Sequence, residues 1–253
     1  SIIHRLDPRM KLILIVAYIV LLFVADGLFS LLIGAGMGVA FYALSKLPWK
    51  LVIKCIKPIM PIIIFTAVLN VFFVEGELIF EWKFISISEK GVLTAVLMCI
   101  RIICLIAGSS LLTYTTTPIA LTDGLESLLS PLKKIKVPVH ELSMMMCIAL
   151  RFIPTLIEET DKIMSAQKAR GADFESGKLM DRVKALIPIL VPLFISAFRR
   201  ADELATAMEC RCYQGGEGRT KMKLLRYSRR DMVAFLIGVA LLAAVFALKY
   251  FGL

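Results

Sequence analysis

Five stretches of the chain are apolar over nearly the length a lipid bilayer demands: residues 12–25, 28–44, 59–74, 92–112 and 232–248. A helix crossing the hydrocarbon core needs about 20 mostly apolar residues, and within lipid every backbone N–H and C=O must be satisfied by the segment itself. That constraint predicts α-helices and excludes an open sheet in those stretches. The runs at 12–25 and 59–74 are short and borrow length from their flanks. Composition agrees, since 58% of the 253 residues are hydrophobic and mean hydropathy is +0.81, against ~45–50% apolar in a soluble domain. The same content excludes a disordered chain. Six cysteines without framework spacing argue against a secreted disulfide scaffold. Residues 1–11 are too short and polar for a signal peptide with its own apolar core, so 12–25 is read as a first span.

Charge orients the spans, because Lys and Arg concentrate in cytoplasmic loops. Arg5, Arg9 and Lys11 precede the first run, and Lys46, Lys50, Lys54 and Lys57 separate the second from the third with no acid among them. Between the third and fourth runs Glu75, Glu77, Glu81 and Glu89 outnumber Lys83 and Lys90. Residues 113–231 carry 19 Lys and Arg, which places that long segment inside as well. The expectation is an all-α, polytopic membrane protein of about five spans with a cytoplasmic N-terminus. Its three parts are residues 1–112 with four spans, 113–231 in the cytoplasm, and 232–253 with the last span, whose C-terminus is external. The lipid bilayer is thus one partner. Nucleic acid is not, because no basic stripe is interleaved with stacking aromatics.

The 113–231 segment reads as long helices. Thr117-Pro118 opens one that carries Ile119, Leu121, Leu125, Leu128, Leu129 and Leu132 at helical spacing and ends between Pro131 and Pro138. A second spans residues 139–170 and stops at Gly171, with a kink expected at Pro154. A third spans 179–213, contains Pro188 and Pro192, and stops at Gly215-Gly216.

Each of the last two helices has an apolar part followed by a charged one. Met144, Met145, Met146 and Cys147 lie in the first apolar patch, and residues 185–197, including Ile187, Leu190 and Phe194, are uncharged. Such patches suit a helix–helix core, two further short spans, or a surface at the membrane interface that meets a second membrane protein; methionine adapts to partners of varied shape. The charged halves, with Glu158, Glu159, Asp161 and Lys162 in one and Asp202, Glu203 and Glu209 in the other, are expected to project from the bilayer. Both finish on a small residue, an arginine and a stop: Ala169-Arg170-Gly171 and Cys210-Arg211-Cys212. Small neighbours let another protein approach the backbone, and arginine presents a rigid fork to carboxylates or carbonyls. A basic residue capping the negative end of a helix is the plainer alternative. The recurrence of such ends, 41 residues apart on successive helices, favours a docking role.

Three segments together resemble the transmembrane coupling (T) component of energy-coupling factor transporters, a family related to cobalt-import permeases. They are Ser1-Ile2-Ile3-His4-Arg5-Leu6-Asp7-Pro8-Arg9-Met10-Lys11-Leu12, Ala169-Arg170-Gly171, and Glu209-Cys210-Arg211-Cys212-Tyr213 with Gly215-Gly216-Glu217-Gly218-Arg219-Thr220. The second motif departs from the simple form by placing cysteines beside Arg211. The resemblance, which covers essentially the whole chain, implies crossed coupling helices that bind two ABC-type ATPase subunits. Arg170 and Arg211, with Ala169, Gly171, Cys210 and Cys212, would each dock one. It also implies a small membrane substrate-binding (S) component that selects a vitamin or metal ion. On this reading the chain is no enzyme and holds no cofactor, ATP being bound by the partner subunits.

Other functions find little in the sequence. There is no Gly-x-x-x-x-Gly-Lys-[Ser/Thr] motif, and Gly215-Gly216-Glu217-Gly218 follows a helix rather than a strand. His4 and His140 are isolated, and Cys210-x-Cys212 has no second pair, so neither a metal site nor hydrolase chemistry is indicated. A conventional ABC permease, with its own translocation path, is the alternative transporter; its coupling helices are usually short. A membrane phosphotransferase would show clustered Asp or His. Arg101, in mid-span, is either a functional charge or bound to a structural partner such as Asn70 or backbone carbonyls, and Asn70 is read as inter-helix glue.

Overall fold

The computed structural model describes residues 1, 3–25, 27–74, 78–82, 85–172, 174, 179–216, 225 and 227–250. Glu75, Glu77, Lys83, Lys178 and the Glu217-Gly218-Arg219-Thr220 part of the second motif lie outside these. Two compact units form, residues 1–128 with 223–253, and residues 129–222.

In the first unit, α1 (Pro8–Val24) begins where Asp7 accepts the Arg9 N–H at 3.0 Å, with Pro8 at the first helical position, where its missing N–H costs nothing. α2 (Leu28–Ser45) follows Gly27, whose N–H donates to Ser30 Oγ at 3.1 Å. α3 (Trp49–Ile56) continues through a 3-10 turn at Lys57–Ile59 into α4 (Met60–Phe73), with Pro58 and Pro61 at the junction. The third apolar run is therefore the distal part of a longer helical path. A short antiparallel hairpin, β1 (Leu78–Trp82) and β2 (Ile85–Ser88), joins α4 to α5 (Glu89–Thr115). Ser88 Oγ accepts the Gly91 N–H at 3.0 Å and donates to Val74 O at 2.6 Å, so one side chain both starts α5 and ties it to the end of α4. α6 (Pro118–Leu129) and α9 (Arg229–Tyr250) complete the unit's helices.

Its core is small: Tyr18, Leu21, Leu22, Ala25, Leu31, Met37 and Val245. Many large apolar side chains point outward instead, among them Phe23, Phe29, Phe65, Phe73 and Leu236. In water this would be an aggregation hazard; in lipid it is the expected exterior. Glycines supply close helix contact, as in membrane bundles. A Cβ at Gly38 of α2 would stand 2.5 Å from the Tyr18 hydroxyl, and one at Gly108 of α5 would stand 2.7 Å from its ring. The α1 tyrosine thus fills a slot between two glycines.

Among the described residues, five helical segments are long and apolar enough to cross a membrane: α2, the 25-residue path Trp49–Phe73, α5, α9 and α7 (Val139–Ala169). The 17-residue α1 is shorter than these. α7 joins them because its apolar first half extends past Met146 to Ile153 and Ile157, both exposed. The chain is an all-α polytopic membrane protein, with the hairpin as a small addition between two spans.

The second unit holds a 3-10 helix at Ser130–Ile135, α7, and α8 (Leu179–Glu209). Both long helices have 31 residues and continue through their prolines, Pro154 in α7 and Pro188 and Pro192 in α8. Glu159 meets Ser196 and Arg200, Gln167 Nε2 reaches Pro188 O at 3.4 Å, and His140 packs on Gly216. Rising numbers on α7 face falling numbers from α8 onward, so the pair is antiparallel.

Candidate functional site

The end of α7 is built from backbone bonds. The Arg170 N–H reaches Ala166 O and Gln167 O, Gly171 N–H reaches Lys168 O at 3.0 Å, and Ala172 N–H reaches Gln167 O at 3.0 Å. Gly171 has φ +86°, the left-handed region that glycine enters without a Cβ clash. This satisfies carbonyls that a helix C-terminus would otherwise leave orphaned.

The end of α8 repeats the arrangement. The Arg211 N–H reaches Met208 O at 3.1 Å, Cys212 N–H reaches Glu209 O at 2.8 Å, and Tyr213 N–H reaches Met208 O at 3.1 Å. Cys212 has φ +56°, so a cysteine occupies the conformation that glycine holds at 171. The two ends match residue for residue: Gln167 with Met208, Arg170 with Arg211, Gly171 with Cys212, Ala172 with Tyr213. The helix itself stops at Glu209 rather than at Tyr213, and the turn carries the motif beyond it. Ala169, Arg170, Gly171, Cys210, Arg211 and Cys212 are all exposed.

Because α7 and α8 are antiparallel, the two arginines lie at opposite ends of the pair. With Gln167 facing Pro188, Glu159 facing Ser196 and Arg200, and His140 facing Gly216, Arg211 falls opposite about residue 145 of α7, roughly 35 Å from Arg170 at 1.5 Å per residue. A separation of roughly 35 Å prevents one small groove from holding both.

Between the ends, Glu159 is the clamp. Its carboxylate accepts from the Ser196 hydroxyl and from Arg200 Nη2, the latter at 2.8 Å. In the sequence the only signal of this contact is an acid pair, Glu158-Glu159, on one helix and a basic pair, Arg199-Arg200, on the next. The apolar patches are open. Met145 is 53% exposed and Phe194 60%; Met146, Ile187 and Leu190 are exposed too, while Met144 is half-buried. Ile187, Leu190 and Phe194 repeat at three and four residues, so they share one face of α8.

The first unit explains the opening segment. Lys11, 7% exposed, donates from Nζ to Thr115 O at 2.8 Å, the last residue of α5, with longer contacts to Thr116 Oγ1 and His4 O. Arg101 of α5 donates from Nη2 to Ala25 O, at the end of α1. Two antiparallel helices thus each place a cation on the negative terminus of the other. Asp231, 2% exposed at the start of α9, accepts the Asp7 N–H at 2.9 Å and the Ser228 N–H at 2.7 Å. Arg9 lies over the Tyr227 ring at 5.4 Å. For Arg101 the backbone-carbonyl partner holds. Asn70 donates to Thr66 O of its own helix at 2.8 Å, so that amide bonds within α4 rather than between helices. Among the described residues, no group of three or more His, Cys, Asp and Glu could hold a metal ion.

Residues 1–222 match the sequence profile of the family described as CbiQ, cobalt transport protein. Curated relatives extend over nearly the whole chain. The energy-coupling factor transporter transmembrane protein EcfT of Ruminiclostridium cellulolyticum is 52% identical over 250 residues, covering 99% of this chain and 94% of the relative. That of Thermosediminibacter oceani is 54% identical over 243 residues, with 96% and 91% covered. That of Bacillus subtilis is 48% identical over 250 residues, with 98% and 94% covered.

Proposed function

Since the chain belongs to the cobalt transport protein family and, within it, to the energy-coupling factor transmembrane components, we propose that it works as the coupler between two ATPase subunits and a membrane S component. Arg170 and Arg211 each enter a groove on one ABC-type ATPase and pair there with acidic or carbonyl oxygens. The apolar faces with Met144, Met145 and Met146 on α7 and Ile187, Leu190 and Phe194 on α8 hold the S component. ATP binding and hydrolysis belong to the partners. The movement passes through α7 and α8, and the S component reorients to release its vitamin or metal ion. The N-terminus and the 113–231 segment lie in the cytoplasm.

One observation carries the reading. The same capped, exposed, arginine-bearing turn is built twice, once with glycine and once with a strained cysteine, at places too far apart for one partner site. A helix needing only a C-terminal cap has no use for that repetition.

The test is co-purification of the ATPases with Arg170→Ala, Arg211→Ala and the double variant, alongside uptake of cargo. Removing one side of a buried charged pair costs roughly 2–5 kcal/mol, so each single variant should lose much of its ATPase and the double variant nearly all. Lysine should rescue poorly, since it lacks the planar fork. Full ATPase retention and uptake by the double variant would sink the proposal.

A further inference from the structure

Lys50, Lys54 and Lys57 are exposed on α3 and the turn that follows it. At 100° per residue they fall within an arc of about 60°, one face of the helix over two turns. Lys46, also exposed, ends α2 in the left-handed conformation just before them. Beside the lysines stand Trp49, 54% exposed, and Ile53, 65% exposed, while Val52 is buried. The Trp49 ring stacks on Tyr42 at 5.3 Å between centroids, which fixes its position. Residues 27–74 contain no Asp or Glu, so the helix path offers the lysines no countercharge. That path, Trp49–Phe73, is itself long and apolar enough to cross a membrane.

We propose that this face of α3 binds the phosphate head groups of anionic phospholipids. The stripe sits where a spanning helix leaves the bilayer, the depth at which head groups lie. Tryptophan favours the same depth, with an apolar ring and a polar N–H. Juxtamembrane lysines gain from anionic lipid, by about fivefold in binding per residue near the surface. Basic residues on one side of a membrane protein are commonplace; their restriction to one helical face, flanked by an exposed Trp and Ile, marks a built surface. A lipid satisfies the charged stripe and its apolar margin together, whereas an acidic protein surface would leave Trp49 and Ile53 to find separate partners. The assignment is independent of the ATPase-docking reading.

The experiment uses the full chain with Trp82→Phe, which leaves Trp49 as the reporter, reconstituted in phosphatidylcholine vesicles. Brominated phosphatidylglycerol or brominated phosphatidylcholine is then added as quencher. Phosphatidylglycerol should quench Trp49 at least about threefold more effectively at low salt. The preference should shrink toward unity at high salt, a measurement that needs no further substitution. Replacing Lys50, Lys54 and Lys57 with Gln should abolish it at low salt. Equal quenching by the two lipids in the chain with all its lysines would overturn the proposal. So would a preference that survives both high salt and the triple substitution. If the lipids quench equally and the lysines resist acetylation only in the assembled transporter, the stripe faces a protein and the lipid assignment is wrong.

Discussion

Replacing Lys11 with methionine tests whether α1 and α5 are locked together by charges on each other's ends. Methionine keeps the apolar stem and removes only the ammonium. Lys11 is 7% exposed, and its ammonium donates to Thr115 O at 2.8 Å, with Thr116 Oγ1 at 3.3 Å and His4 O at 3.4 Å as further partners. Its loss leaves the C-terminal carbonyl of a 27-residue helix without this donor. A buried polar group left unsatisfied costs about 1–3 kcal/mol. The ammonium's own desolvation is recovered, which lowers the figure, but its attraction to the buried Asp231 is lost, which raises it. We expect a net loss of about 2 kcal/mol. Equilibrium unfolding in mixed detergent and SDS reads this directly, with Lys134→Met as an exposed control expected within about 0.5 kcal/mol of the unsubstituted chain. Arg101→Met removes the reciprocal contact, about 20 Å away along α1, so its cost should add to that of Lys11→Met. If Lys11→Met unfolds like the control, the contact is incidental and the locking scheme is wrong.

Gly171→Val should strain the α7 turn by about 1–2 kcal/mol, whereas Cys212→Gly should relieve the α8 turn; ATPase retention should fall with the first and hold or rise with the second. Met145→Asp should release the S component while the ATPases stay bound, as read by co-purification, and an S component that remains bound would remove Met145 from that surface. Single cysteines at positions 136 and 172, in an otherwise cysteine-free chain, should both react with membrane-impermeant reagent only from the cytoplasmic side. Labelling from opposite sides would mean that α7 crosses the bilayer, leaving Arg170 and Arg211 unable to reach ATPases on one face.

Much of the geometry of the two helix ends is legible in the sequence because it is local. A small residue, an arginine and a glycine after an amphipathic run specify a helix end through backbone conformation alone, and Gly171 adopts the positive φ expected there. Cys212 was harder to read, since its left-handed conformation opposes the preference of a residue with a Cβ. The long-range features were hidden for another reason. Lys11 looks like one more flanking charge until its partner, 104 residues on, is known. Arg101 in isolation is an anomaly in a greasy helix; beside Ala25 O it is a cap on α1. Glu159 and Arg200 are likewise ordinary surface charges until the antiparallel pairing sets them face to face.

The antiparallel pairing also sets how a push would travel between the two helix ends. The turns at Arg170 and Arg211 are copies of each other in backbone shape, yet they close chains that run in opposite directions. The helices between them are tied at three levels, His140 with Gly216, Glu159 with Ser196 and Arg200, and Gln167 with Pro188. A pair held near both ends and in the middle behaves as a strut rather than a hinge: a displacement at one turn is handed to the other with little lost to bending between them.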